Sequence, residues 1–317
     1  MTDTQNEVFK TPVNKIRLFE HGAPGSQNLK LTRKYYTEDM PDGRVKHIVQ
    51  NITDPDIVPY IPDGIGNSTD RQRIPAVLII PGGAFRRLVY NFEGEDVAKW
   101  LNSVGIAAFV LECRLPSDEH DNAEDVPLID AMRAMRVIRG RAQEFGIDEA
   151  KIGVMGFSAG GFMAALLSTA YESDVYADYK YKDEYDKLSA RPDFAVCSYP
   201  VISIDDCIEA GKRYMSEEQV LERISDSKAK ILHKYNPDKL VRPDMPPVFI
   251  CETDDDRTTL SENSVGFYMA ARKAGVSAEL HIFRTGGHGY GCGDDFAQTG
   301  EWKVLFTKWI KSIGIIS

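Results

Sequence analysis

Lys151-Ile-Gly-Val-Met-Gly-Phe-Ser158-Ala-Gly-Gly161 is the stretch whose reading decides the fold. An apolar run, Ile152 to Met155, ends in a glycine, and an Ala- and Leu-rich run of helical period starts just after Ser158. A serine between Gly156 and Gly160 at a strand-to-helix junction is where a nucleophile elbow sits. The glycines have a physical reason. The serine backbone is held in a strained turn, and a side chain two residues either side would collide with the adjoining strand and helix. A bare Gly-x-Ser-x-Gly arises by chance, but flanked by this strand and this helix it points to Ser158 as a nucleophile.

Outward from the elbow, short apolar runs alternate with longer segments of helical period, the pattern of a parallel sheet flanked by helices. Ala76 to Ile80, Ile106 to Leu111, Ile152 to Met155, Phe194 to Ser198, Val248 to Cys251 and Ala278 to Phe283 read as buried strands. Asp96 to Leu101, Leu128 to Gln143, Ala159 to Ala170 and Glu262 to Lys273 read as helices. In the last helix Trp302, Leu305, Phe306, Trp309, Ile310 and Ile313 recur at helical spacing and form one apolar stripe. Val45 to Asn51 and Ile57 to Ile61 read as antiparallel edge strands. Tyr171 to Arg191 and Asp205 to Arg242 break the alternation. Neither holds enough apolar residues for a core of its own, so both are expected to be lid or cap insertions on one domain spanning 1–317, with 1–44 as an N-terminal extension.

Lys plus Arg number 38 against 48 Asp plus Glu, a net charge of -10, so nucleic acid is not an expected partner. No run approaches the roughly 20 apolar residues of a membrane span, and the first residues lack the basic and apolar segments of a signal peptide, so a cytoplasmic location is expected. The five cysteines, Cys113, Cys197, Cys207, Cys251 and Cys292, form no CxxC pair, which fits free thiols in a reducing compartment. No HExxH or other metal-ligand spacing and no dinucleotide fingerprint is visible, so neither metal nor cofactor is expected. Oligomeric state is not legible.

A serine hydroxyl needs a base. Of six histidines, His281 lies inside a predicted strand, where a packed or edge side chain is expected, and His21, His47, His120 and His233 lie in polar or edge segments. His288 differs. It follows the last predicted strand in Thr285-Gly-Gly-His-Gly-Tyr-Gly291, a glycine-rich loop that allows close approach to the serine, and it completes the order serine, acid, histidine. The acid belongs after Val248 to Cys251, in Cys251-Glu-Thr-Asp-Asp-Asp-Arg257, where spacing alone does not choose among three aspartates. Glycines also follow an early strand in Ile79-Ile-Pro-Gly-Gly-Ala-Phe85. The amides of Gly82 and Gly83, with that of Ala159, are the expected oxyanion hole.

Together these residues resemble the α/β-hydrolase superfamily, and within it bacterial esterases related to acetyl xylan esterases and hormone-sensitive-lipase-like carboxylesterases. The resemblance runs from Leu18 to Pro24 through PGGAF, Arg114-Leu-Pro116, Asp130 with Ala131 and Arg133, GFSAGG and Arg191-Pro-Asp193 to GGHGYG. The acid loop in such esterases often reads like HAADDPVVPVENS. Matching Asn263 to that Asn implies Asp256 as the triad acid, with Asp255 one step earlier. Glu252 for the usual His and Thr259-Leu260 for Val-Pro are departures. Ala84 replaces the usual third glycine of the oxyanion loop, which is expected to be tolerated if no left-handed conformation is needed there.

The resemblance implies hydrolysis of small carboxylic esters through an acyl-enzyme, with acetylated sugars or xylo-oligosaccharides as the expected substrate class. Tyr171, Tyr176, Tyr179, Tyr181 and Tyr185 crowd one insertion. They could face a sugar ring, but gluing a lid to the body is the better reading. An exopeptidase of the prolyl-oligopeptidase type would use the same triad, but the chain has no room for a propeller. A non-catalytic receptor on a hydrolase scaffold would be favoured by loss of the histidine, and His288 is present.

Overall fold

The computed structural model describes residue 9 and residues 13–65, 73–213, 216, 218–220, 227–293 and 297–317. Parts of two expected elements therefore lie outside the described residues: the start of the 1–44 extension, and 214, 215, 217 and 221–226 of the 205–242 insertion.

The strands are β1 (Ile16–Arg17), β2 (Lys34–Asp39), β3 (Val45–Gln50), β4 (Asp56–Tyr60), β5 (Ile74–Ile80), β6 (Leu88–Val89), β7 (Ala107–Glu112), β8 (Ile147–Phe157), β9 (Ala195–Ser198), β10 (Val248–Thr253) and β11 (Ala278–Phe283). Eight form a central sheet in the order β1-β4-β7-β5-β8-β9-β10-β11, and β2-β3-β6 form a small second sheet. From β7 to β11 every pairing is parallel, while β1, β4 and β7 pair antiparallel. All residues of β7 and β10, and all but the first of β5, are buried, as continuous apolar strands between two helical layers must be. β11, at the sheet edge, is half exposed, which explains how it accommodates His281 beside Glu279 at 2.7 Å.

The helix Trp302–Ser312 buries Trp302, Phe306, Trp309 and Ile310 and leaves Leu305 and Ile313 half-buried. The run expected as one helix over Leu128 to Gln143 is instead Val126–Gly140 followed by a short turn, Ala142–Phe145. Arg141 between them leaves helical angles, with ψ at 17°. The segment around Ile57 pairs antiparallel with β7 as expected, but β1 and not β4 forms the sheet edge, and Val45–Gln50 does not border the central sheet. It runs between β2 and β6 in the small sheet, because the polar strand β2, unmarked by any apolar alternation, pairs with it residue for residue.

The tyrosine-rich insertion packs on the Val126–Gly140 helix and the N-terminal segment. The Tyr176 hydroxyl bonds Asp186 and Arg136, the Tyr179 hydroxyl donates to the Gly22 carbonyl, and Arg133 pairs with Asp183 and Asp186. Buried Arg114 and Asp130 form an ion pair at 2.6 Å, and Arg114 also donates to Pro24 and Ser26, which pins the N-terminal segment to the body. The Leu18 to Pro24 segment, Arg114, Asp130 and Arg133, which also carried the resemblance, therefore hold the scaffold together. Cys113, Cys197, Cys251 and Cys292 are buried and form no disulfide among the described residues, and the side chain of Cys207 lies outside the described residues. Among the described residues no helix is long and apolar enough to cross a membrane.

Candidate active site

Three loops at the C-terminal ends of parallel strands meet. Ser158 ends β8, Asp256 follows β10 and His288 follows β11. In the sheet β8 and β11 are three strand steps apart, roughly 14 Å at the usual spacing, so the histidine must be carried back across β10 and β9 by its loop. Ser158 has φ 54° and ψ -117°, the strained turn expected of the elbow. The flanking glycines are compulsory. A Cβ on Gly156 would lie 1.9 Å from the Gly160 carbonyl oxygen, and one on Gly160 would lie 1.9 Å from that of Ile80.

Ser158 Oγ is 2.8 Å from His288 Nε2, and His288 Nδ1 is 2.6 Å from Asp256 Oδ2. Asp256 Oδ1 accepts the amides of Thr258 and Thr259 at 2.7 and 2.9 Å, and Oδ2 also accepts the Thr259 hydroxyl at 3.0 Å. Burial pushes the Asp256 carboxyl up, but the hydrogen bond and charge of His288 and the two amides outweigh it and leave it below its ordinary value. It is thus an ionised acceptor, which places the histidine proton on Nδ1 and leaves Nε2 free to accept from Ser158. Asp255 points the other way. Its Oδ1 accepts the Gly286 and Gly287 amides at 2.9 and 2.8 Å and so ties down the histidine loop. The carboxylate of Asp254 is exposed. Thr253 Oγ1 donates to the Gly287 carbonyl and Trp302 Nε1 to that of Gly291, at 2.9 and 3.1 Å.

The oxyanion loop differs from expectation at two positions. The Gly82 amide does not face the serine; it donates to Glu93 Oε2 at 2.8 Å. Among the described residues the amides of Gly83 and Ala159 have no protein acceptor, and these two remain as donors for an oxyanion. Ala84 does adopt the left-handed region, at φ 56°, and Phe85 follows at φ 59°. The turn needs that shape because Arg86 and Arg87 both donate to the Gly83 carbonyl.

Glu93 and Tyr199 are the residues that sequence reasoning missed. Glu93 sits in a π-helical turn, Asn91–Glu95, and Tyr199 follows β9 with φ 36°. In Asn91-Phe-Glu-Gly-Glu95 a glutamate before a helix reads only as an acidic helix start, and a lone tyrosine after a strand carries no signal. The cleft in front of Ser158 encloses about 890 Å³, part of it open to solvent. Met40, Arg44 and Lys46 of the β2–β3 hairpin line it, facing Arg87, Phe92 and Tyr290. Among the described residues, none that lines it comes from 171–191 or 205–242, and the element that overhangs the site is the first hairpin of the N-terminal region.

The BD-FAE sequence family matches residues 65–270, which include the oxyanion loop, the elbow and the aspartate run. The chain belongs to the BD-FAE family. This BD-FAE chain is 31% identical over 240 residues to an acetylxylan esterase of Xylanibacter ruminicola, covering 75% of the chain and 45% of the relative. It is 31% identical over 227 residues to endo-1,4-beta-xylanase B of Butyrivibrio fibrisolvens, covering 71% of the chain and 34% of that protein. The chain therefore spans less than half the length of either relative. Among solved structures, an acetyl ester-xyloside bifunctional hydrolase from Caldicellulosiruptor lactoaceticus superposes with a TM-score of 0.71 at 35% identity, over 96% of this chain and 97% of that one. A Lactobacillus plantarum carboxylesterase, 21% identical, superposes with a TM-score of 0.67 over 90% and 99% of the two chains. The fold is that of the α/β-hydrolase esterases.

Proposed function

We propose that the chain is a serine esterase that removes short acyl groups, acetyl above all, from esters of small alcohols and xylo-oligosaccharides. One observation carries the reading: the continuous hydrogen-bonded line from Ser158 through His288 to ionised Asp256, ending at an open cleft. Ser158 Oγ attacks the acyl carbon while His288 Nε2 takes its proton, and Asp256 holds the imidazolium that forms. The tetrahedral oxyanion is met by the Gly83 and Ala159 amides. Collapse of the intermediate returns the proton from His288 to the leaving alcohol. Water then attacks the acyl-serine with His288 again as base, releasing the carboxylic acid.

The saccharide part rests on the acetylxylan esterase and the acetyl ester-xyloside hydrolase among the similar proteins. The cleft is compatible with it. Phe92 lines it beneath the Arg44 guanidinium, and Arg44, Lys46 and Arg87 offer donors to sugar hydroxyls. The test is a panel of p-nitrophenyl esters of increasing acyl length, acetylated xylo-oligosaccharides and an aminoacyl amide. Turnover confined to short esters and acetylated sugars, lost by at least about 10⁴-fold in Ser158→Ala with the melting temperature kept, is the expected result. Turnover of the amide alone, or Ser158→Ala activity within about tenfold of the parent, refutes the reading.

A further inference from the structure

We propose that Glu93 is a positioning residue of this active site, tying the oxyanion loop to the histidine loop through Tyr199 so that one buried carboxyl sets oxyanion donors and base in register. The inference rests on the esterase reading above.

Glu93 is 5% exposed, and each of its oxygens takes one donor. Oε2 accepts the Gly82 amide at 2.8 Å and Oε1 accepts the Tyr199 hydroxyl at 3.0 Å. The Tyr199 oxygen in turn accepts the Gly291 amide, also at 3.0 Å. This unbroken line runs from the loop after β5 to the loop after β11, strands separated in the sheet by β8, β9 and β10. The oxyanion loop presses directly on the elbow. A Cβ on Gly82 would lie 2.4 Å from the Phe157 carbonyl oxygen and 2.9 Å from Ser158 Cβ. Holding the Gly82 amide from behind fixes the peptide that leads into Gly83, whose own amide is left for the oxyanion.

At the other end the Tyr199 ring stands edge-on to the His288 ring, with centroids 5.1 Å apart. Tyr199 is fully buried, and its positive φ is uncommon for a bulky side chain. No hydrogen-bonded basic side chain offsets the burial of the Glu93 carboxyl among the described residues. Burial therefore pushes it above its ordinary value, while the charge of His288, the Gly82 and Tyr199 hydrogen bonds and the more distant Lys46 hold it down. A buried carboxyl kept only by a loop amide and a tyrosine is costly unless the arrangement it enforces is needed. Misplacing a reacting group by about 1 Å costs up to about 10²-fold in rate, which sets the scale of the effect.

The experiment compares Glu93→Gln, Tyr199→Phe and the double variant in the full chain, with p-nitrophenyl acetate as substrate. It reads kcat, KM, the pH profile, inhibition by a methylphosphonate ester and the melting temperature. Each single variant is expected to lower kcat by about 10- to 100-fold with KM within about threefold, and to react more slowly with the phosphonate. The double variant is expected to lie within about threefold of the worse single one, because both cut the same line.

Ser158, Asp256 with Glu252 behind it, Glu93 and Tyr199 face His288, and Arg44, Lys46 and Arg87 line the same cleft. Glu93→Gln removes one negative charge from that set and disfavours the imidazolium. The acid limb of kcat/KM is therefore expected at lower pH in Glu93→Gln and unmoved in Tyr199→Phe. Single variants with kcat within about threefold of an active parent, or a double variant showing the product of the two single losses, overturn the clamp. Should Glu93→Gln fail to fold, Tyr199→Phe, which removes a single oxygen, decides alone: a parental kcat overturns the proposal. A folded parent with no ester turnover overturns the esterase reading and the clamp together.

Discussion

Asp256→Asn is expected to lower kcat by about 10⁴-fold, and the geometry supplies the reason. Oδ1 of Asp256 holds the Thr258 and Thr259 amides at 2.7 and 2.9 Å. In the variant the amide oxygen keeps those two bonds, so its NH₂ group takes the place of Oδ2, facing His288 Nδ1 and the Thr259 hydroxyl. An NH₂ group cannot accept the Nδ1 proton. The imidazole then carries its proton on Nε2, the atom that must take the proton of Ser158. Turning the amide over restores the tautomer but sets NH₂ against two amide donors, at a cost of about 2 to 3 kcal/mol for two lost hydrogen bonds. Even then the imidazolium has lost a charge-assisted partner, about 1.5 to 3 kcal/mol more. The sum, about 5 kcal/mol, corresponds to a factor of about 10⁴. Asp255→Asn keeps an oxygen for the Gly286 and Gly287 amides and is expected to cost about tenfold. Asp254→Asn, at an exposed carboxylate, is expected to be silent. Burst-titrated kcat on p-nitrophenyl acetate checks the series, and Asp256→Asn within about tenfold of the parent refutes the assignment.

Gly156→Ala places a methyl 1.9 Å from the Gly160 carbonyl oxygen and is expected to cost more than about 4 kcal/mol of stability. Urea unfolding would show a large drop in midpoint or no folded protein, and a parental midpoint would contradict the packing described. Buried His120 bonds Ser26 through Nδ1, while its Nε2 has no partner among the described residues; burial and the Arg114 charge lower its pKa to about 4. The unfolded chain takes up that proton near the ordinary value of about 6.5, so stability is lost as pH falls from about 6.5 towards 4, by about 3 kcal/mol in all. His120→Asn keeps an acceptor for Ser26 and is expected to flatten this part of the stability profile. Parallel pH slopes for parent and variant in urea titrations would refute the assignment.

The elbow was legible because its constraints are local. Gly156, Ser158 and Gly160 lie within five residues, and the clash that compels Gly156 arises inside the same strand-turn-helix unit, while Gly160 is compelled by the Ile80 carbonyl of β5. The buried strands were legible for a similar reason, since a strand covered on both faces must be apolar throughout. His288 stood out because it sits in a glycine-rich loop, which lets the chain carry the side chain back across β10 and β9 to the serine.

Other decisions belonged to the tertiary structure. Asp256 faces His288 while Asp255 faces the loop amides, and three identical side chains in a row carry no mark of that division. The Gly82 amide turns away from the serine because Glu93, eleven residues on, captures it. Tyr199 joins Glu93 across 106 residues of sequence, and among the described residues the cleft is overhung by a hairpin from the N-terminal region instead of either insertion. Hydrophobic periodicity records which side of an element is buried. It does not record which distant polar atom a buried donor meets, and that meeting is what sets the catalytic geometry.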